Sequence, residues 1–408
     1  MAVRRALRAN DSVSAPVEKT GSSGQPIKLA LVTVTHIYPS HGGGLERVAG
    51  KLVQEFVRAG ARVCWFSSDT DAPPADIPDV AIHVSVRTAN FVYRLTQLPY
   101  PFWSPVALPR LWRAIGAANI VHVHEHLYHG SIIAIIIARL RGRPVVVTQH
   151  MGALVLRNAV LTSLYEAGAR LIGRLIFPLA ARRVFISANV RHFFGRDLDP
   201  KSRLIFNGVD TGLFTLATPA ERLSEREILQ IPAATKAVLF VGRLVRKKGL
   251  HIIEQLARRF THVLWMIVGS GPEDPSKWNA ANVRVYGRVS HDRLASYYRA
   301  ADLLLLASSG EGFPLVVQEA LCCGTRVLST EEVASACPPA ASMIRTGPTP
   351  RRDDDIDGWA KALEEVLSDS DDVDTSQARS QAARAMWSWE DCARRYMNLF
   401  TEISDCRR

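Results

Sequence analysis

Short, β-branched apolar runs alternate along this chain with stretches whose apolar positions recur every three to four residues, the spacing of a half-buried helix. A run at residues 27–34 opens the series, and a glycine-rich turn follows it. Leu45, Val48, Leu52, Val53, Phe56 and Val57 then repeat at helical spacing, and Gly60 ends that helix. Runs at 62–67, 120–124, 145–149 and 184–187 come next. A second series starts near Arg203, with 204–206 leading into NGVD, 237–241 into GRLVRKKG and 263–268 into GSG. Runs at 283–286, 303–307 and 326–329 complete it. Strands that alternate with helices predict parallel sheets wound by helices, an α/β fold. Two series that each begin afresh predict two doubly wound domains, at 27–200 and 201–385. A final helix near 389–402, inside a segment 386–408, carries Cys392, Tyr396, Leu399 and Phe400 on one face. Residues 1–26 are basic, then Ser-, Gly- and Pro-rich, and are expected to form a disordered leader.

Size agrees with this division, because 408 residues exceed what one core normally holds. The longest apolar run, 132–138, is far too short to span a bilayer and reads as a buried helix. No long apolar segment follows the basic start, so a cleaved signal peptide is not expected. Six cysteines show neither a C-x-x-C pair nor a His-rich ligand spacing, which suits thiols in a reducing cytosol. The net charge of +11 is uneven: from Arg139 to Arg203, 12 Arg or Lys stand against Glu166, Asp197 and Asp199. Such a region attracts anions, whether nucleic acid, anionic lipid headgroups or a phosphorylated acceptor. No helix-turn-helix, zinc-finger or RNP-like pattern accompanies the charge, so nucleic acid is set aside.

Chemistry concentrates in SSGEGFPLVVQEALCCG, residues 308–324. Pro314 suits the first turn of a helix and Gly324 its C-terminal cap. Glu311 then lies in the loop before the helix and Glu319 inside it, along one wall of the crevice at the carboxyl ends of parallel strands. Carboxylates there accept hydrogen bonds from sugar hydroxyls, and the amides near Gly312, Phe313, Pro314 and Leu315 suit an anion or a hydroxyl. In GRLVRKKG, Gly242 turns the chain and Arg243 and Lys248 aim two cations at the same crevice, where a departing diphosphate develops charge. HGGGLERV is not G-x-G-x-x-G, and Ser67-Ser68 stand where an NAD site needs an acid, which removes a dehydrogenase. Its Gly43 and Gly44 bring main-chain N–H groups towards phosphates, while Glu46 and Arg47 face the acceptor side. HVHEH places His122 and His124 on one strand face, with His124 nearer the cleft; His150, closing TQHMG, is a further cleft candidate or a core histidine. Strand geometry turns Glu125 away from His122, and Asp69-Thr70-Asp71 and the acids at 353–357 match a metal motif only in composition, so no metal is expected.

The E-x7-E spacing of Glu311 and Glu319, together with GR-x4-KG around Arg243 and Lys248, resembles the retaining glycosyltransferases of the GT-B fold, family 4 or glycosyl transferases group 1, over roughly residues 27–400. That resemblance implies two Rossmann-like domains facing across a cleft, with the C-terminal helix crossing back to the first. It implies that Arg243 and Lys248 hold a nucleotide-sugar diphosphate, that Gly269 turns beside the donor, and that the backbone near Val289 lines the nucleobase pocket. Glu311 then orients the sugar, Glu319 binds the ribose, and His124 contacts the transferred sugar. The activity implied is retaining hexosyl transfer by front-face attack, the leaving phosphate taking the acceptor proton, with no metal and no cofactor. The expected acceptor is lipid-linked or a polysaccharide or glycolipid, met by a cytoplasmic, peripherally bound protein at the inner membrane face. This rests on the basic region from Arg139 to Arg203, where Arg157, Arg170, Arg174, Arg182 and Arg183 interleave with apolar residues; a buried helical pair with a solvated Arg face is its alternative. A soluble small-molecule acceptor, or a non-catalytic nucleotide-binding GT-B module, is the alternative function.

Overall fold

The computed structural model describes residues 29–37, 44–70, 81–89, 100–153, 159–197, 199–348, 355–369 and 371–405. The expected leader, Gly43, Asp71 and Arg157 lie outside them. Strands β1 (Ala30–Val34), β2 (Arg62–Ser68) and β3 (Ala81–Val86) start the first domain. A small antiparallel pair follows, β4 (Thr88–Ala89) with β5 (Phe102–Trp103). Next come β6 (Ile120–His124), β7 (Val145–Gln149), β8 (Arg182–Phe185) and β9 (Ser202–Leu204). The second domain holds β10 (Ala237–Val241), β11 (Leu264–Val268), β12 (Val283–Val285), β13 (Leu303–Leu306), β14 (Arg326–Thr330) and β15 (Ile344–Gly347).

The first sheet runs β3-β2-β1-β6-β7-β8-β9 and the second β12-β11-β10-β13-β14-β15. All pairs within both are parallel. Helices cover both faces, so the central strands are buried throughout and read as continuous apolar runs, as in AVLFV of β10. In each sheet the order reverses once, between β1 and β6 and between β10 and β13. Connections leave to opposite faces at such a point and open a crevice at the carboxyl ends of the strands. HVHEH ends β6, GRLVRKKG follows β10, and SSGEG follows β13, so the candidate chemistry lies at both switch points.

β9 pairs with β8, so the first sheet runs past the join expected at 200, and the second domain begins after Leu204 rather than at 201. A three-residue strand carries no periodicity of its own, and only its neighbour decides its sheet. Helix Trp389–Asp405 crosses back: Trp389, Cys392, Ala393, Tyr396, Leu399, Phe400 and Ile403 join Val48, Leu52 and Phe56 of helix Gly44–Arg58 in one core cluster. Tyr396 Oη lies 3.0 Å from Thr148 Oγ1, which sits 2.8 Å from His122 Nε2. The two chain passes between domains are bridged where Val209 meets Ser388.

Several arginines of the basic region have internal partners. Arg182 pairs with Glu402 of the crossing helix, and Arg183 reaches Asp199 at 3.0 Å. Arg191 and Arg196 pair with Asp197 and Asp199 at 3.4 and 3.5 Å. Arg170 bonds Glu166 at 3.1 Å and lies over the Phe193 ring, and Arg141 lies over Trp112. Among the described residues, no helix is long and apolar enough to cross a membrane.

Candidate active site

The second-domain wall grows from the ends of β10 and β13. Gly269, after β11, and Gly242, after β10, pack so closely that a Cβ on Gly269 would lie 1.8 Å from the Gly242 carbonyl oxygen. One on Gly271 would lie 2.2 Å from that of Leu244. These glycines let two turns stack, and the turn so placed presents Arg243, which is exposed and whose side chain makes no hydrogen bond or ion pair among the described residues, although its carbonyl accepts from Val245 N at 2.9 Å. Lys248 Nζ stands 2.7 Å from Glu311 Oε1, both side chains about one-sixth exposed. Lys247 joins them: burial lowers the pKa of its ammonium, while Glu311 and Glu332 raise it.

Pro314 caps helix Leu315–Cys322 with extended geometry instead of lying in its first turn, and Gly324 takes the left-handed φ of 76° just beyond its end. Phe313 is 4% exposed, with its ring edge-on to Phe206 and tilted near Trp387. Leu315 packs against the first-domain core. Glu319 is buried with both oxygens engaged, by Tyr298 Oη at 2.7 Å and His291 Nε2 at 3.3 Å. The main chain at Arg288–Val289 lies beside the Gly269 turn, since Arg288 Nε donates to Ser270 Oγ at 2.8 Å and Gly269 N to the Gly287 carbonyl.

The first-domain wall is a set of buried histidines at the ends of β6 and β7. His124 Nδ1 meets His150 Nε2 at 3.0 Å, and their rings stack at 5.2 Å. Burial pushes His150 down to about 3 and His124 well below its ordinary value, so both are neutral hydrogen-bonding groups at physiological pH. His124 Nε2 and His150 Nδ1 are buried without a hydrogen-bond partner among the described residues. Glu46, expected on the acceptor side, is held inside the first-domain wall. It is buried 3.0 Å from His36 Nε2; burial raises its carboxyl, but the His36 bond and charge leave it below its ordinary value. Arg47 is exposed at the start of the same helix. Gly44 opens its helix into empty space.

The two walls touch. A Cβ on Gly312 would lie 2.9 Å from the His150 carbonyl oxygen, 3.3 Å from Ile186 and 3.6 Å from Val190. The loop bearing Glu311 therefore abuts the residue whose ring holds His124. Three residues were missed in the sequence. Lys247 hides in a basic run. Glu332 stands just after β14, the next strand over, where carboxyl-end position is the only signal. Glu125 has the left-handed φ of 65° directly after His124, and its fully buried carboxylate accepts the amides of His150 at 2.6 Å and Met151 at 2.7 Å and the Gln149 side chain. Among the described residues, no group of three or more His, Cys, Asp or Glu is arranged to hold a metal ion. Asp69 is engaged by Thr88 at 2.9 Å.

Comparison with known proteins matches the Glycosyltransferase Family 4 model to residues 42–213 and the Glycosyl transferases group 1 model to residues 221–386. A D-inositol 3-phosphate glycosyltransferase of Xylanimonas cellulosilytica is 26% identical over 404 residues, covering 90% of this chain and 93% of its own. One from Mycobacteroides abscessus is 28% identical over 401 residues, covering 89% and 87%. Among solved structures, sucrose-phosphate synthase from Thermosynechococcus elongatus superposes with a TM-score of 0.72 at 19% identity, covering 93% of this chain and 100% of that one. Anabaena HepE, solved with UDP and glucose, gives 0.64 at 16%, covering 92% and 100%. With both sheets, the cleft at their switch points and the crossing helix in place, the chain belongs to the GT-B glycosyltransferases, a Family 4 first domain joined to a group 1 second domain.

Proposed function

We propose that this enzyme transfers a hexose-type sugar, with retention, from a nucleotide-sugar donor to a soluble, phosphorylated small-molecule acceptor. The observation that carries the reading is the contact of Gly312 with His150, which puts the Glu311–Lys248 pair and the His124–His150 pair on facing walls of one cleft. The relatives named for D-inositol 3-phosphate favour a soluble polyol phosphate over the lipid-linked or glycan acceptor expected from the sequence.

In this reading the donor lies along the second domain, with its base near Val289 and its ribose near Glu319. Arg243 and Lys248 face the diphosphate, with Lys247 beside them, and fixed cations in a desolvated cleft stabilise the charge that develops as the bond from sugar C1 to phosphate oxygen breaks. The bond from acceptor oxygen to C1 forms on the same face, and the acceptor proton passes to the leaving phosphate. Glu311 and the amides near Gly312 hold sugar hydroxyls. Neutral His124 orients a hydroxyl through Nε2 rather than moving a proton.

A second reading, an acceptor at a membrane surface, draws on one feature. Val160, Leu164, Leu171 and Leu175 are each about three-fifths or more exposed along helix Ala159–Ile176, and Arg174 shares that helix. Such a face suits an anionic interface.

The two are separated by nucleoside diphosphate release from UDP-, GDP-, ADP- and dTDP-sugars, measured with D-inositol 3-phosphate, with anionic vesicles, or with neither. Release from one donor that rises with the polyol phosphate is expected. Stimulation by vesicles carrying glycolipid extract alone moves the assignment to the second reading. No release and no nucleotide binding with any donor overturns both.

A further inference from the structure

The loop between β13 and helix Leu315–Cys322 carries Glu311, yet its own side chains do little to hold it. Its successive amides are held from outside. Ser309 N donates to the Lys247 carbonyl at 3.1 Å, Gly310 N to Glu332 Oε2 at 3.2 Å, and Glu311 N to Glu332 Oε1 at 3.0 Å. Gly310 has the left-handed φ of 69°, which turns neighbouring N–H groups to one side as an anion-binding concavity. The protein's own carboxylate fills that concavity, one oxygen to each amide, so the direction in which Glu311 leaves the backbone is set by Glu332.

The element that carries Glu332 is gripped from the other domain. Asn189, in helix Ala188–Phe193 of the first domain, donates through Nδ2 to the main-chain oxygen of Glu332 at 2.6 Å. Its own oxygen accepts from Ser335 Oγ at 3.3 Å. Val190, next to Asn189, lies against Gly312. A chain of contacts thus runs from the first domain through Asn189 and Glu332 to the amide of Glu311, and from Glu311 to Lys248.

We propose that Glu332 is a positioning residue for glycosyl transfer: it holds the loop bearing Glu311 in its working pose and, through Asn189, ties that pose to contact between the two domains. Glu332 bonds no reacting atom in this scheme. Its charge also acts on Lys247. The inference rests on the nucleotide-sugar reading above.

The test uses the full chain and the donor identified by the release assay, with transfer to water as the turnover measured, so no acceptor need be known. Glu332→Ala should lower kcat by about tenfold or more, because the loop bearing Glu311 loses both amide bonds that set its pose. Affinity for the matching nucleoside diphosphate, which Arg243 and Lys248 hold, should stay within about twofold. Hydrogen exchange at the Gly310 and Glu311 amides should accelerate in that variant. Asn189→Ala, in the other domain, should lower kcat by about threefold to tenfold, and the double variant should be no slower than Glu332→Ala. Unchanged kcat in Glu332→Ala overturns the proposal, as do nucleotide affinity falling in step with kcat and single effects that multiply in the double variant. Failure of the donor reading looks different, because the unaltered chain would then neither bind nor turn over any nucleotide sugar.

Discussion

At the scale of residues, the proposed donor pose makes a diphosphate and Glu311 rivals for Lys248, since the carboxylate already lies 2.7 Å from its ammonium. Two variants separate their roles. Lys248→Ala should weaken nucleoside diphosphate binding and lower turnover by about a hundredfold. Glu311→Ala should lower turnover as much while leaving diphosphate affinity unchanged or tighter, measured by calorimetry; parallel losses in both would refute the division of labour. Buried titratable groups give a pH signature. His122 and His150 are each pushed down to about 3 by burial, from an ordinary 6.5. Below 6.5 the unfolded chain takes up protons that the folded chain refuses, so stability falls as pH drops from 6.5 towards 3. Burial pushes Glu125 the other way, from 4.5 up to about 8, so its contribution is lost as pH rises through that window. Melting temperature should therefore peak between these limbs, with Glu125→Gln flattening the alkaline limb and His122→Asn the acid one. A profile unmoved by either variant would refute the assignment. Glu311, Lys248 and His124 were legible in the sequence because motif spacing and strand ends name them. The pairing of Glu46 with His36 and the turn at Glu125 were not, because the first depends on a residue of another element and the second on a backbone angle that no local pattern announces.

At the scale of elements, two glycines that look alike in sequence differ in what they allow. Gly269 cannot accept a Cβ without displacing the turn that bears Arg243, whereas nothing lies within 4 Å of one on Gly44. Gly269→Ala should lower the melting temperature and abolish nucleotide binding, and Gly44→Ala should leave both near their original values. Thermal melts with and without nucleoside diphosphate check this, and equal behaviour of the two would refute the close-packed turn. Most strands could be read directly, since a parallel strand covered on both faces is a plain apolar run. β9 could not, because Leu204 fits either sheet until Phe185 is known to lie beside it. Pro314 showed where a helix begins but not which side of the boundary it occupies, a distinction of one residue that depends on ψ, here 127°.

At the scale of the whole molecule, the two-domain division followed from the two series of runs, whereas the return of the last helix was implied only by the resemblance to the GT-B fold. The contact between the walls followed from neither, because Gly312 and His150 are 162 positions apart and no local pattern joins them. A chain ending at residue 386 should keep a cooperative second domain but lose protease resistance in the first, read by limited proteolysis with mass spectrometry; an equally resistant first domain would show that the crossing helix is dispensable. The crossing helix also orders events in time. Its residues follow the entire second domain in the chain, yet Phe56, Val48 and Leu52 of the first wait for Tyr396, Leu399 and Phe400 to cover them. On the ribosome the first half is made early and finished last, so for as long as the second half takes to emerge it presents a bare apolar face. The length of that interval scales with the number of residues between Leu204 and Trp389.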